Sequence, residues 1–566
     1  MLAIGLWGLD RGGMWRDEGV TFQVARRSFP QIWQLLHSVD AVHGLYYLLM
    51  HGYYVLTHVA LAAHPGEVAL RLPSVCAAAA TAGLVAALGV RLSRPRVGLW
   101  AGLLYAVTPM AGHFAQEGRS YALVAAGAAG ATVLLVRATG VPPVRAKPRT
   151  WGRAGGWWAY GGTVAVTCLL HELAVLLLLA HAGTLALARV PARVWRGWGC
   201  AAGAAVLVLV PLILVSRGQS AQVAWLSPPG FWSVGRLLGA FTGPAPLMVV
   251  PYVALIALAL RPPLARRGEL SLPAVALPLM VVPPAVLMSV SRFWPLYDER
   301  YVLYALAGAP LLAAAGGEWL AGVVVRLRAG GRRVPTLPQA LGFARAGGTP
   351  IALRNDRPHD DGVAVRSALR SDCPRDGGVV VSSRLRSGCL QSGGSMATGP
   401  RPRFPRAALI GILAVSLAFA VQLPLLRQDR TPDHGADNLA AVSAAARREL
   451  RPGDPVLFLP SIVRRSALAY PKGFRGVRDV ALRVPGPASG TLYGLEADPG
   501  ELRRRLARLD RVWVVAEPFA LRPAWYPASP TERVKLTVVD EEFVPRQEVV
   551  RRGVTLTLYV RRAAPL

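Results

Sequence analysis

Long apolar runs separated by short polar junctions set the pattern of this chain. Runs of about 17–25 residues recur from residue 68 to residue 325 and again near 407–424, each long enough to cross a bilayer. They predict helices over about 68–90, 97–112, 120–136, 157–170, 173–188, 198–215, 245–260, 271–290, 301–325 and 407–424. With the apolar start at Met1–Leu9 this makes a polytopic α-helical membrane protein of about eleven transmembrane helices. The start is shorter than the ~20 residues a span needs. Asp10 and Arg11 follow it in place of a small-residue cleavage site, so no cleavable signal peptide is expected, and the natural start is expected upstream.

Three segments break the pattern. Residues 10–67 read as a long polar-aromatic loop, in which Ser28-Phe29-Pro30 followed by Ile32, Trp33, Leu35 and Leu36 predicts an amphipathic helix on the membrane surface. Residues 326–406 are rich in Arg, Gly, Ser and Pro without apolar period, as in a disordered basic cytoplasmic insertion. Residues 425–566 predict a small extracytoplasmic α/β domain. In it, strands are expected at 455–460 and 511–516, helices at 438–450 and 499–509, and a closing hairpin from Val534–Val539 with Val554–Val560.

Charge sharpens the topology. Of 566 residues 53% are hydrophobic, yet the net charge is +31. That excess would suit nucleic acid if it formed one basic face, but it is dispersed into short clusters between apolar runs. Arg91, Arg94 and Arg96 form one cluster, and Arg137, Arg145, Lys147, Arg149 and Arg153 another. Further clusters are Arg189, Arg193 and Arg196, then Arg261, Arg266 and Arg267, then Arg326 and Arg328. This is the positive-inside signature of cytoplasmic loops, with the lipid bilayer as partner and no nucleic acid. The alternate junctions carry the acids: Asp17-Glu18, Glu117, Glu172 and Asp298-Glu299. They are expected to gather on the outer face as one site. The five cysteines have no metal-ligand spacing and predict no disulfide framework.

The acidic junctions carry the candidate chemistry. A carboxylate at Asp17 or Glu18 can deprotonate an acceptor hydroxyl; a helix cap near Thr21 is the plainer alternative. Arg119, two residues after Glu117, and Arg300, directly after Asp298-Glu299, can each hold a phosphate, with Arg292 competing for the second role. Interface ion pairs are the alternative. Asp40, His43 and His171-Glu172 could bind a divalent metal or contact sugar.

In order along the chain, Trp15-x-Asp17-Glu18, Asp40 with Tyr46-Tyr47, Gln116-Glu117-x-Arg119-x-Tyr121 and Glu299-Arg300-Tyr301 resemble the C-type (GT-C) membrane glycosyltransferases. The branch is the family-39-like one that includes protein O-mannosyltransferases and aminoarabinose transferases, and the resemblance covers about residues 1–325. It implies a GT-C-like fold and transfer of a sugar, with mannose expected, from a polyprenyl-phosphate donor to a glycan or protein acceptor at the outer face of a bacterial plasma membrane. It further implies an inverting displacement with Asp17 as base and Glu18 in support. Arg119 and Arg300 would hold the donor phosphate; Asp40, His43, Glu117, Tyr121, His171 and Glu299 would contact sugar or acceptor. No cofactor is implied beyond an optional divalent metal. A lipid-linked sugar flippase would instead want mid-helix charges and broken symmetric repeats; Glu318 is the main acid inside an apolar run. A non-catalytic scaffold would leave the acidic motifs without a role.

Overall fold

The structure is a computed structural model and describes residues 1–60, 66–140, 155–243, 246–261, 268–329, 406–431, 437–522, 524–551 and 553–563. Most of the predicted insertion, from 330 to 405, lies outside the described residues, as do Arg145, Lys147, Arg149, Arg153, Arg266 and Arg267. The chain opens with α1 (Leu2–Leu6), α2 (Arg16–Ala25), α3 (Phe29–Leu36) and α4 (Gly44–Ala60). The bundle continues with α5 (Glu67–Leu92), α6 (Pro95–Val107), α7 (Pro109–Ala115), α8 (Tyr121–Ala138), α9 (Gly155–Leu170), α10 (Leu176–Leu187) and α11 (Ala192–Gly218). It ends with α12 (Phe231–Thr242), α13 (Pro246–Ala259), α14 (Leu272–Val290), α15 (Gly308–Ala329) and α16 (Arg406–Gln428).

Every apolar run predicted after the start is helical. Six described helices are long and apolar enough to cross a membrane, and α12 with α13 makes a seventh when counted as one bent span. The run expected at 97–112 is broken at Thr108, whose backbone is extended. Pro109 causes the break, because proline disfavours the helical conformation in the residue before it.

The segment read as a loop over 10–67 is mostly helical, which corrects that reading. Helix α3 is the amphipathic helix expected there; Ile32 and Leu35 are buried while Phe29 and Trp33 are exposed. Helix α4 buries Tyr46, Tyr47, Met50 and Tyr54 along one face. Its helical spacing is hidden in sequence by interspersed His and Tyr. The short α1 is held by side chains from two distant elements. Gln116 Nε2 donates to the carbonyls of Gly5 (2.9 Å) and Trp7 (2.8 Å), and Arg430 donates to those of Trp7 (3.0 Å) and Ile4 (2.9 Å). At the Arg-rich end, Glu318 pairs with Arg94 at 2.9 Å, so this acid answers a basic junction. Helices α5 and α6 pack backbone to backbone, and a Cβ on Gly98 would sit 2.3 Å from the Ala86 carbonyl oxygen.

The C-terminal domain begins with α17 (Leu439–Glu449) and builds a mixed sheet from β1 (Pro455–Leu459), β2 (Arg478–Asp479), β5 (Arg511–Ala516), β6 (Phe543–Arg551) and β7 (Val554–Arg561), in the order β2-β1-β5-β7-β6. Strand β1 runs parallel to β2 and β5, and β7 closes antiparallel on β5 and β6. A separate pair, β3 (Leu482–Val484) and β4 (Leu495–Glu496), flanks it. The helices between are α18 (Arg465–Ala469), α19 (Gly486–Ser489), α20 (Pro499–Ala507) and α21 (Pro530–Glu542). Alternation sorts the sheet's two faces. Val456, Phe458, Trp513 and Val515 pack with α17, while Leu457, Leu459, Val512 and Val514 pack with α20 and α21.

Val534–Val539, expected as a strand, lies in α21. Ser529-Pro530 supplies a helix start. Lys535, Val538 and Val539 are buried at helical spacing, which overrides β-branched propensity. The hairpin forms from β6 and β7 instead. Leu439 and Ala469 join the core of the membrane bundle, so this domain packs directly on α2.

Candidate active site

At the end of the bundle that carries the acidic junctions lies a cavity of about 1200 Å³. Helix α2 places adjacent residues Asp17 and Glu18 in opposite roles, because successive helical positions diverge by about 100°. Asp17 lines the cavity, and its Oδ2 lies 3.2 Å from Arg300 Nη1. Glu18 does not line it and is only 1% exposed. Arg71 of α5 grips its carboxylate twice, Nε to Oε1 and Nη2 to Oε2, both at 2.8 Å. The Gly118 amide donates to Oε1 at 2.9 Å. Arg71 also ties down the carbonyls of Leu9, Arg11 and Gly13. Glu18 is therefore an anchor for α2 and for the turn at Gly118, a correction to its expected place beside Asp17 as a reacting group.

Arg300 is the second residue of the 3-10 turn Glu299–Ala307 that leads into α15. Asp298 holds it from the other side at 3.4 Å. Rings of Trp15, Tyr121, Trp225 and Tyr301 surround its guanidinium at 5.5–5.9 Å. The cage orients this cation while leaving it in the cavity. Arg292 instead donates to the Pro229 carbonyl at 3.0 Å, and it is absent from the lining. Glu299, expected at the sugar, pairs with Arg236 at 3.0 Å and is not brought into the cavity wall with the other expected contacts.

Arg119 is buried, and its Nη1 donates to Tyr47 Oη and Thr21 Oγ1, each at 3.3 Å. Tyr47 passes the contact on to Asp40 Oδ2 at 2.5 Å. Asp40 occupies the left-handed region at φ 59°, which Asp tolerates better than most side chains. Gln222 in the 3-10 turn Ser220–Val223 and Gln219 just after α11 accept from the Asp40 and Ala41 amides at 3.2 and 2.9 Å. Burial pushes the Asp40 carboxyl's pKa up, with Arg119 and the Tyr47 hydroxyl pulling against it.

Glu117 lines the same cavity with both carboxylate oxygens buried and no hydrogen-bond partner. Burial raises its pKa to about 7, against the opposing pull of His113 and Arg300. His43 is held neutral by burial and by the cations Arg119 and Arg300. Its ring lies 5.7 Å from His171, which stacks at 4.8 Å on Tyr301. Among the described residues, no three His, Cys, Asp or Glu side chains are grouped to hold a metal ion.

The cavity thus gathers Asp17, Asp40, His43, Glu117, Arg119, Tyr121, His171 and Arg300, and leaves out Glu18 and Glu299. Nothing in the sequence flagged Gln219 or Gln222, nor Arg465 and Tyr493 from the C-terminal domain, which also line it. Their local sequence carries no motif; only the fold delivers them. The cavity offers cations for an anionic group beside carboxylates able to accept hydroxyl protons.

The fold is a polytopic α-helical bundle of GT-C-like architecture with an appended α/β domain. Two solved structures share this fold: ArnT from Cupriavidus metallidurans in the apo state, and ArnT from the same organism bound to undecaprenyl phosphate. The first aligns over 98% of this chain and 96% of its own at 12% identity and a TM-score of 0.53. The second aligns over 99% and 96% at 13% identity and 0.52. At such identity the likeness is one of fold. No family model and no curated protein matches the chain.

Proposed function

We propose that the chain is a membrane glycosyltransferase that moves a sugar from a polyprenyl-phosphate donor to an acceptor hydroxyl at the outer face. The observation that carries this reading is the Asp17–Arg300 pair, 3.2 Å apart in a cavity at one end of the membrane helices. The fold shared with ArnT, one structure of which holds undecaprenyl phosphate, supports a lipid-linked donor. The Arg-rich junctions at the opposite end of the bundle support an outward-facing site. Mannose is the sugar we expect, and no step depends on that choice.

The donor's lipid tail lies in the bilayer and its phosphodiester carries one negative charge. The acceptor oxygen attacks the anomeric carbon, the bond to the phosphate oxygen breaks, and the acceptor proton passes to Asp17. The leaving polyprenyl phosphate gains a second negative charge at that moment. Arg300, caged and already desolvated, stabilises this growing charge more than the ground state, which is the condition for catalysis. The phosphate also competes with Asp17 for Arg300, so donor binding frees the base for the acceptor. Arg119 holds Tyr47, Thr21 and the Asp17 carbonyl in place, and adds positive potential. Glu117 and Asp40 offer polar contacts to sugar hydroxyls, and the development of positive charge on the sugar ring favours nearby carboxylates, by analogy with glycoside hydrolysis.

The test is transfer in proteoliposomes from labelled polyprenyl-phosphate mannose, with glucose and pentose donors in parallel, to an envelope fraction from a deletion strain. The wild type should transfer label. Asp17→Asn should lose at least about 10²-fold in rate, as expected for removal of a general base. Unimpaired transfer by a well-folded Asp17→Asn variant would refute the assignment.

A further inference from the structure

The C-terminal domain does more than sit on the bundle. Its Ile462, Arg465 and Tyr493 form part of the cavity wall that also contains Asp17 and Asp40. The segment carrying Tyr493, between α19 and β4, is fixed on several sides. Arg464 Nη1 donates to the Tyr493 carbonyl at 2.9 Å, while its other nitrogens hold Asp479 (2.6 Å) and Glu496 (2.8 Å). Arg27 at the end of α2 donates to the Leu492 carbonyl at 3.1 Å. Gly490 adopts φ +65°, and a Cβ there would lie 2.8 Å from Gln34 of α3. The segment is thus seated against the same α2–α3 unit that carries the proposed base.

Arg465, 2% exposed, is ion-paired with Glu517 and lies 3.7 Å from Asp437, which in turn holds Arg16 at 3.1 Å. Arg465 and the Asp17 and Asp40 carboxylates line the same cavity as Tyr493. Burial leads a rise in the phenol's pKa, so it stays a neutral hydroxyl that can both donate and accept. An aromatic face, a hydroxyl and carboxylates on one wall suit a hydroxyl-rich ligand: the ring covers its C–H face and the oxygens answer its hydroxyls.

We propose that Tyr493 binds a glycan acceptor beside Asp17 and that Arg464, which holds the Tyr493 carbonyl, is its positioning residue, so that the C-terminal domain completes the acceptor side of the site. This rests on the glycosyltransferase reading above. The donor phosphate takes the Arg300 side; the acceptor arrives from the aqueous side, where the domain stands.

Two experiments on the full-length protein test this. In steady-state transfer to the envelope glycan fraction, Tyr493→Phe should raise the KM for that fraction about five- to tenfold, the effect of one lost hydrogen bond. The KM for the lipid donor should not move, and Arg464→Lys should shift acceptor KM in the same direction. Equal shifts in both KM values, or none, overturn the proposal. Independently of turnover, a photoreactive phenylalanine analogue at position 493 should crosslink envelope glycan on irradiation, and the same analogue at exposed Tyr526 should not. Adducts to polypeptide or to donor lipid alone overturn the glycan assignment. A wild type inert with every donor sinks the glycosyltransferase reading, and the crosslink then still decides whether position 493 meets a glycan.

Discussion

Asp17 and Glu18 are neighbours in sequence and look interchangeable, yet replacing them should have opposite consequences. Glu18→Ala removes the partner of a buried bidentate pair, in which Glu18 is 1% and Arg71 9% exposed at the side chain. It strands the guanidinium and the Gly118 amide in a dry site. Breaking a buried pair in this way costs about 3–5 kcal/mol, a large part of the roughly 5–15 kcal/mol that holds a typical domain together. Asp17→Asn disturbs a less buried pair, whose partners are 26% and 13% exposed, and leaves Arg300 its second carboxylate at Asp298, so it costs much less than Glu18→Ala. Unfolding can be followed by thiol labelling in detergent after reactive cysteines are blocked, since Cys168 is buried while Cys76 and Cys200 are exposed. Glu18→Ala should expose Cys168 at a clearly lower temperature. Asp17→Asn should melt like the wild type and lose transfer. If Glu18→Ala kept the wild-type melting curve and lost transfer as Asp17→Asn does, assigning Glu18 to anchoring would be wrong.

Other expectations follow from the same geometry. Glu117 has its pKa raised from 4.5 to about 7, so the folded state binds the proton more tightly than the unfolded one. Its contribution is full below pH 4.5 and is lost as pH rises to about 7. Across that window the loss amounts to about 3 kcal/mol, and a Glu117→Gln variant should show a flatter melting profile. Arg300→Lys keeps the charge but loses the planar fork and the ring contacts, and should raise donor KM about 10- to 100-fold, the effect of one lost hydrogen bond to a charged group. In the C-terminal domain, Lys535 has no exposed side-chain surface and binds Glu496 at 2.7 Å and Glu532 at 3.1 Å. Lys535→Met should destabilise that domain by about 3–5 kcal/mol, seen as protease sensitivity confined to residues beyond 437.

The apolar runs determined the membrane architecture by themselves, because a bilayer accepts little but a long apolar helix and each run carries that requirement locally. The alternation of Arg-rich and acidic junctions likewise brought Asp17, Glu117, Glu172 and Asp298 to one end, since the parity of crossings places them there. Local signals also sufficed for α3 and for most strands of the sheet. What periodicity could not resolve was the division of labour inside the acidic cluster. Whether Glu18 meets Arg71 or a substrate depends on where α5 stands relative to α2, and Glu299 is drawn to Arg236 by the placement of α12. The helix over Val534–Val539 was hidden because its decisive contacts are with β1 and with Glu496. Arg465 and Tyr493 stand more than four hundred residues from Asp17 in a segment without a motif. Only the packing of the C-terminal domain against α2 and α3 puts their side chains into the cavity, because a wall built from distant segments exists only once the chain has closed around it.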